Sequence, residues 1–220
     1  DWKVWHSSIS PSHMLGLNGS GAKTAIGGTA FQTFTSSVIA LESWNQVNAS
    51  ANYVFYAFAN VDGYCDIGLF EGNMGDNHNP RKSGTFVYTG FKPAFVMYKP
   101  LDAAESWLTF DNKRKRSYSG NFYETANNEG GFHGSGGNSR WERLRADTNA
   151  VQESGYPDTG GSPNWRVDNG FIDFLSNGFK LRLEDGPLGA RYMNDDELYL
   201  YMAFAETPFV TSKGVPTTAN

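Results

Sequence analysis

Short apolar runs alternate with turn residues along the whole chain, and no long segment has the periodicity of a helix. The runs at residues 53–59 and 198–205 are rich in aromatic residues, and breaker residues follow both. In an extended conformation each run would place apolar side chains on both of its faces. We therefore predict that both runs are central strands of a sheet, covered on both sides.

The sequence repeats three blocks in the same order, which indicates a duplicated unit rather than a chance match. Because repeats constrain architecture, we predict an all-β fold of two superposable halves, a jelly-roll or lectin-like β-sandwich. The first half is assigned to residues 1–84 and the second half to residues 85–220. The matching blocks are 1–6 with 106–111, 31–41 with 171–181, and Ala57-Phe58-Ala59 with Ala203-Phe204-Ala205.

Two local signals add to this assignment, and a set of large apolar residues is expected to form the core. Pro93 cannot donate to a ladder, so it should start a strand or lie on a sheet edge. Asn177-Gly178 lies between two apolar runs, which predicts a hairpin. The residues expected to be largely buried are Phe55, Phe58, Phe95, Phe174, Phe179, Tyr201 and Phe204.

The first half begins directly at its tryptophan block, whereas residues 89–99 precede the corresponding block of the second half. We therefore expect the opening strand of the first half to be missing. The chain would then be the C-terminal piece of a longer polypeptide or a processed product. A missing strand leaves an open sheet edge unless something covers it.

Composition agrees with many short strands joined by tight turns, since the chain has 25 glycines and 15% aromatic residues. The formal net charge of -5 argues against a nucleic acid or an anionic membrane as partner. No apolar run is long enough to span a bilayer, and no signal peptide opens the chain. Cys65 is the only cysteine, so we expect no intrachain disulfide and a buried thiol that packs as a small apolar group.

Residues 117–169 differ in composition from the rest of the chain, because they are rich in Gly, Asn and Ser and have few aliphatic residues. The segment is too long for an ordinary connection between strands. The segment contains Trp141, Tyr156 and Trp165. One interpretation is that these aromatic residues pin a long loop onto the sandwich. The other is that they form an exposed platform for a sugar ring or a protein receptor, because Trp and Tyr offer large, rigid contact areas. They are our candidate ligand-binding residues.

The familiar catalytic motifs are missing, so we predict no enzymatic activity and no cofactor. In "GLNGSGAKT" an alanine separates the glycine and lysine that a phosphate-binding loop needs side by side. "HGSGG" lacks the glycine that a nucleophile elbow places two residues before its serine. The four histidines share no zinc-ligand spacing. The Glu-x-Asp-x-x-Glu pattern of sandwich-fold glycosidases, which supplies paired carboxylates, does not occur.

Two oxygen-rich segments, residues 76–79 ("DNHN") and 194–197 ("NDDE"), could hold calcium. Ordinary turns have the same composition, because Asn and Asp are common turn residues. The prediction therefore assigns no metal site.

Six blocks of the sequence resemble a domain of unknown function found at the C-terminal ends of tail-fibre and other virion proteins of marine bacteriophages. They cover nearly the whole chain except residues 117–169, and "DFLSNGFKLR" and "YMAFAETPF" are the most specific. The blocks are "DWKVWH", "YAFANVDGYCDIGLFEGN", "GTFVYTGFKPAFVMYK", "WLTFDNKR", "IDFLSNGFKLR" and "LYLYMAFAETPFVTSKGVPTTAN".

The resemblance implies a virion structural protein with a lectin-like sandwich, and it brings no established catalytic residues. It implies a tail-fibre or decoration domain that contacts a host surface glycan or receptor. The expected partners are other virion subunits and further copies of the chain, with a trimer favoured because phage fibres are commonly trimeric. Assembly in the bacterial cytoplasm fits the lack of disulfides. The alternatives are a polysaccharide depolymerase and an architectural virion subunit without a ligand.

Overall fold

The fold is all-β, and no helix occurs among the residues that the structure describes. The computed structural model describes residues 1–26, 31–35, 37–42, 44–73, 84–113, 139–140, 142–149, 153–154, 172–181 and 194–208.

The described residues contain fifteen strands, most of them short. In chain order they are β1 (Lys3–Val4), β2 (His13–Gly16), β3 (Thr24–Ala25), β4 (Phe31–Phe34), β5 (Ile39–Leu41), β6 (Cys65–Glu71), β7 (Phe86–Tyr88), β8 (Pro93–Pro100), β9 (Leu108–Asp111), β10 (Ser139–Arg140), β11 (Glu142–Arg145), β12 (Glu153–Ser154), β13 (Ile172–Leu175), β14 (Gly178–Leu181) and β15 (Leu198–Ala205).

The largest sheet has six antiparallel strands in the order β12-β11-β9-β8-β15-β6. Its strand β15 pairs with β6 from Leu198 to Phe204 and with β8 from Tyr199 to Ala205. Both edges of β15 are therefore hydrogen-bonded over nearly their full length. The strands β6 and β8 that flank it do not pair with each other.

A second sheet of four strands, in the order β10-β13-β14-β7, packs against one face of the six-stranded sheet. Successive side chains of a strand point to opposite faces, so alternate residues of β8, β9 and β15 enter this interface. Both sheets are open, with edge strands at their ends. The buried interface contains Phe70, Val87, Phe91, Val96, Tyr98, Leu108, Phe110, Ile172, Phe174, Phe179, Leu181, Tyr199, Tyr201 and Ala203.

The opposite face of the six-stranded sheet is covered by the N-terminal part of the chain, where β1, β2 and β3 form a small sheet. Leu15 of β2 packs with Trp107 and Leu200 in a second buried cluster. The Trp107 indole N–H donates to the carbonyl of Gly16 at 2.7 Å. This hydrogen bond ties the small sheet to the strand that follows Trp107. The six-stranded sheet is thus covered on both faces, as its apolar pattern requires.

Two of the three repeated blocks have the same local structure in both copies. Trp2 and Trp107 each lie next to the start of a strand, β1 and β9 respectively. The second block forms a hairpin in each copy, β4 with β5 and β13 with β14.

The third repeated block differs between its two copies. Residues 198–205 form the central strand β15, as predicted. Residues 53–59 form no strand, so the prediction of a second central strand there is wrong. Phe58 and Phe204 consequently do not occupy equivalent strands.

One contact at strand β6, which follows this segment after a turn, bears on the difference. One edge of β6 is already paired with β15. On the other edge, the side-chain amide of Asn60 accepts from the N–H of Ile67 at 2.9 Å and donates to its C=O at 3.2 Å. A side chain therefore takes the groups that a pairing strand would use.

The predicted core is confirmed for three residues of the two main sheets, met only in part for two others, and wrong for the segment that forms no strand. Phe174, Phe179 and Tyr201 are buried, and Phe95 and Phe204 are partly buried. Of the residues predicted to be in the core, two are more than half exposed, namely Phe55 at 54% and Phe58 at 55%.

The local signals are confirmed with one small shift. Pro93 is the first residue of β8, and Cys65 is buried. The predicted hairpin turns at Ser176 and Asn177, so Gly178 already opens β14. A Cβ on Gly178 would lie 2.0 Å from the carbonyl oxygen of Val87 in β7. Only glycine permits this close approach of the two strands.

We predict that Phe179→Ala lowers the free energy of unfolding by about 3–5 kcal/mol, because the side chain is fully buried between the two sheets and leaves a cavity. Urea unfolding followed by tryptophan fluorescence measures the loss. The control is Phe86→Ala on the outer face of β7, which should cost less than about 1 kcal/mol. Equal losses for the two variants would contradict the assignment of the core.

Candidate functional site

An exposed aromatic segment, residues 53–59, is the most distinctive surface of the described structure, and we call it the aromatic arm. Every residue from 51 to 62 is exposed. Val54 and Tyr56 are each 67% exposed. Large apolar side chains on both faces of one segment are costly to leave in water, at about 25 cal/mol per Å² of apolar surface. Such a surface marks an interaction site when its apolar residues are contiguous.

Both ends of the aromatic arm are held by side-chain hydrogen bonds. At its start, the Tyr53 hydroxyl accepts from the N–H of Ala49 at 3.0 Å and donates to the carbonyl of Asn45 at 3.1 Å. At its end, the Cys65 thiol donates to the carbonyl of Ala59 at 3.1 Å. The arm is therefore fixed at both ends although its middle is exposed.

The chain turns back directly after the aromatic arm and enters the edge strand β6. Val61 and Cys65 pair across this turn, and Gly63 adopts a φ of 71° within it. This left-handed conformation suits glycine, which has no Cβ to clash. Asn60 also donates to the Asp66 carboxylate at 2.9 Å, and the Tyr201 hydroxyl donates to the same carboxylate at 2.5 Å. The end of the arm is thus linked to the central strand β15.

Two ring contacts place the aromatic arm against the rest of the molecule. Tyr56 lies 5.8 Å from Trp2 between ring centroids. Phe58 lies 6.2 Å from Phe204 in an edge-to-face arrangement, and Tyr64 contacts the same ring at 5.8 Å. The arm therefore extends an aromatic surface that runs from the N-terminus to the end of β15.

The main chain of the aromatic arm is without hydrogen bonds over most of its length. The N–H and C=O groups of residues 52–58 make no hydrogen bond to any part of the chain that the structure describes. The same stretch contains no turn or bend. The stretch resembles β15 in sequence but pairs with no strand among the described residues.

The candidate ligand-binding residues from the sequence, Trp141, Tyr156 and Trp165, lie outside the described residues, so their role stays a prediction. Sequence reasoning missed the aromatic arm as a surface because it assigned that segment to the core. One signal could have found it. Residues 49–61 contain no charge and no proline, and those are the residues that normally protect an exposed strand edge.

A second cluster is polar and surrounds Lys99, which is fully buried on β8. Its Nζ donates to the carbonyls of Ser20, at 2.8 Å, and of Glu105. Burial lowers the pKa of Lys99 to about 8, and the carboxylates of Asp147 and Glu105 counteract part of that shift. A neutral amine keeps two N–H donors, enough for both carbonyls. The lysine thus joins two loops rather than presenting a nucleophile to a cleft.

Beside Lys99, three polar side chains form a hydrogen-bonded chain. The Ser106 hydroxyl donates to the Asp147 carboxylate at 3.0 Å, and Arg145 donates to the Ser106 hydroxyl at 3.4 Å. Among the described residues, no imidazole takes part in these contacts, and an imidazole is the base that commonly activates a serine nucleophile. This arrangement supports a structural role.

The two motif candidates from the sequence that the structure describes are also structural. In "GLNGSGAKT", Thr24 begins strand β3 rather than a helix, and Lys23 forms an ion pair with Asp102 at 2.7 Å. In "NDDE", Asn194 is buried and donates to Asn73 at 2.8 Å, and the N–H of Asp195 donates to Tyr199.

No group of three or more His, Cys, Asp or Glu side chains suited to a metal ion occurs in the described part of the chain. The other calcium candidate, residues 76–79, lies outside it. The described part also contains no helix long and apolar enough to cross a membrane.

We predict that raising the pH from about 8 towards 10.5 stabilises the wild type relative to Lys99→Met. Burial makes the folded chain bind the Lys99 proton more weakly than the unfolded chain, whose lysine keeps its ordinary pKa of 10.5. Between these values the unfolded chain holds more protons, so removing protons favours folding. Urea unfolding of both proteins at about pH 8 and about pH 10 measures the change. A stability difference that stays constant over this interval would contradict the prediction.

Comparison with known protein families gives a match. The family model described as "Domain of unknown function (DUF7483)" matches residues 1–139, which include the aromatic arm and Lys99. No curated protein and no solved structure matches the chain. Since the match covers well over half of the 220 residues, the chain belongs to the DUF7483 family of domains, whose function is unknown.

Proposed function

We propose that the chain is a structural protein of a bacteriophage virion, a tail-fibre or decoration domain that contacts a host surface glycan or receptor. The observation that carries this proposal is the aromatic arm, an exposed apolar surface fixed in front of a well-packed pair of sheets. An assembly subunit needs such a surface, because contiguous apolar area gains stability only when another molecule covers it. The resemblance of the sequence blocks to virion proteins of marine bacteriophages supports the same role.

The proposed architecture is a jelly-roll or lectin-like sandwich built from two related halves. The two face-to-face sheets and the two repeated blocks with matching local structure support it. The aromatic arm is where the halves differ, because only the second half forms the corresponding strand. A duplicated strand that has lost its place in the sheet is available for contacts outside the fold.

The proposed role is not catalytic. The buried polar cluster around Lys99 uses its donors on main-chain carbonyls, and Ser106 is bonded to a carboxylate without an imidazole. Both features support structure rather than turnover. The proposed partners are therefore other virion subunits, further copies of the chain with a trimer favoured, and a host surface glycan or receptor.

We expect antibodies raised against the purified chain to label intact particles of the virus that encodes it. Immunogold electron microscopy measures the labelling and also gives its position on the particle. Disrupted particles, which release their internal proteins, are the control, because they show whether the antibodies fail only when the chain lies inside the intact particle. Absence of the chain from purified particles by mass spectrometry would contradict the proposal.

We expect purified chain to compete with the virus for adsorption to host cells through Trp141 and Trp165. Trp141→Ala and Trp165→Ala should weaken the competition while the melting temperature changes little, because loops on a rigid scaffold usually carry binding. If these residues only pin the loop, the melting temperature falls by several degrees, roughly the effect of 1 kcal/mol on a domain of this size.

The same preparations separate the adhesive role from the enzymatic alternative. We expect no release of reducing sugar from host envelope glycans by the purified chain. Release that a single Asp or Glu substitution abolishes would replace the proposed role by that of a depolymerase.

A further inference from the structure

The loop between β2 and β3 carries an Asn-Gly pair whose surroundings suit a spontaneous covalent change. An asparagine followed by glycine can cyclise, because the glycine nitrogen lies within reach of the side-chain carbonyl carbon and no Cβ obstructs its approach. The described residues contain two such pairs, Asn18-Gly19 and Asn177-Gly178. Cyclisation requires the peptide of the pair to rotate, and the structure restrains the two peptides very differently.

The peptide between Asn177 and Gly178 is locked into the four-stranded sheet. Gly178 opens β14 and pairs with residues of β13 and β7 on its two sides. The carbonyl oxygen of Asn177 accepts from the N–H groups of Thr89 at 3.0 Å and of Gly90 at 3.3 Å. Rotation of this peptide towards the asparagine side chain would break these bonds. The fold therefore protects Asn177.

The peptide between Asn18 and Gly19 has none of these restraints. The N–H of Gly19 makes no hydrogen bond to the part of the chain that the structure describes. A Cβ built on Gly19 would meet nothing within 4 Å, so there is space for the rotation. Asn18 is exposed, and water therefore reaches the reacting groups.

A hydrogen bond to the Asn18 side chain favours attack on its carbonyl carbon. The Oδ1 atom of Asn18 accepts from the N–H of Trp2 at 3.0 Å. A main-chain donor on a carbonyl oxygen stabilises the negative charge that develops there when a nucleophile adds. Asn18 thus combines a free neighbouring nitrogen with a polarised carbonyl group.

We propose that Asn18 is a site of self-modification, at which the chain slowly converts its own asparagine into aspartate and isoaspartate. The nitrogen of Gly19 bonds to Cγ of Asn18, its proton passes through water to the amide nitrogen, and that nitrogen leaves as ammonia. Water then adds to one of the two carbonyls of the resulting succinimide ring and opens it. One opening gives aspartate, and the other routes the main chain through Cβ as isoaspartate. Water is the only co-reactant.

The modification changes the surface beside the aromatic arm. The Nδ2 atom of Asn18 donates to the Asp1 carboxylate at 3.3 Å. The aspartate product replaces this hydrogen bond by two like charges, which repel each other. Trp2 is bonded to Asn18 and lies 5.8 Å from the ring of Tyr56. The product therefore loosens the hold on Trp2 at one end of the exposed aromatic surface. This chemistry is independent of the virion role.

The test is peptide mapping by mass spectrometry of the full chain, stored folded at physiological temperature and mildly alkaline pH. The peptide that contains Asn18 should gain about 1 Da, because OH replaces NH2, whereas the peptide that contains Asn177 should keep its mass. In guanidinium chloride both peptides should convert at comparable rates, because unfolding removes the restraints on Asn177.

Gly19→Ala is the matched variant. Its Cβ has room in the fold, but it obstructs the attacking nitrogen. Conversion of Asn18 should therefore slow several-fold, and the melting temperature should not change.

A second pair of variants tests the effect on Trp2. Asn18→Asp supplies the aspartate product directly and should make the tryptophan fluorescence more accessible to quenching by acrylamide. Adding Trp2→Phe to this variant should remove the increase.

Three results would overturn the proposed site. The first is an Asn18 peptide that keeps its mass in the folded chain although both peptides convert in guanidinium chloride. The second is equal conversion of Asn18 and Asn177 in the folded chain. The third is a conversion of Asn18 that Gly19→Ala does not slow.

Discussion

The central strand β15 is the element on which the rest of the described structure depends. Its two edges pair with β6 and β8, which do not pair with each other. Its two faces supply Tyr199 and Tyr201 to the interface between the large sheets and Leu200 to the cluster under the N-terminal sheet. β15 therefore connects the interface between the two large sheets with the cluster under the N-terminal sheet.

The aromatic arm lacks the strand pairing and the burial that β15 has. It repeats part of the β15 sequence, yet it pairs with no strand in the part of the chain that the structure describes and its side chains are exposed. Asn60 occupies the hydrogen-bonding groups of Ile67 on the edge strand β6, so a strand could not pair at that position. Its aromatic side chains remain exposed. The proposed function in assembly rests on this surface and not on the buried polar cluster.

The family match and the fold do not have the same boundaries. The matched residues 1–139 include β6 and β8 but not β15, which lies at Leu198–Ala205. In this chain the two strands therefore reach their shared neighbour only through a later part of the sequence. The buried Lys99 adds a further long-range link by joining the Ser20 and Glu105 loops. The structural unit of this chain is larger than its matched segment.

The sequence by itself determined the all-β class, the position of β15, the presence of a hairpin next to Asn177 and the start of β8 at Pro93. These features depend on local chemistry, namely the pattern of apolar residues, the turn residues and the lack of a main-chain N–H donor in proline. Only the tertiary structure decided that residues 53–59 are exposed whereas residues 198–205 are central. The two segments have similar sequences, and the difference lies in which backbone groups are available beside them. That availability is set by contacts between distant parts of the chain.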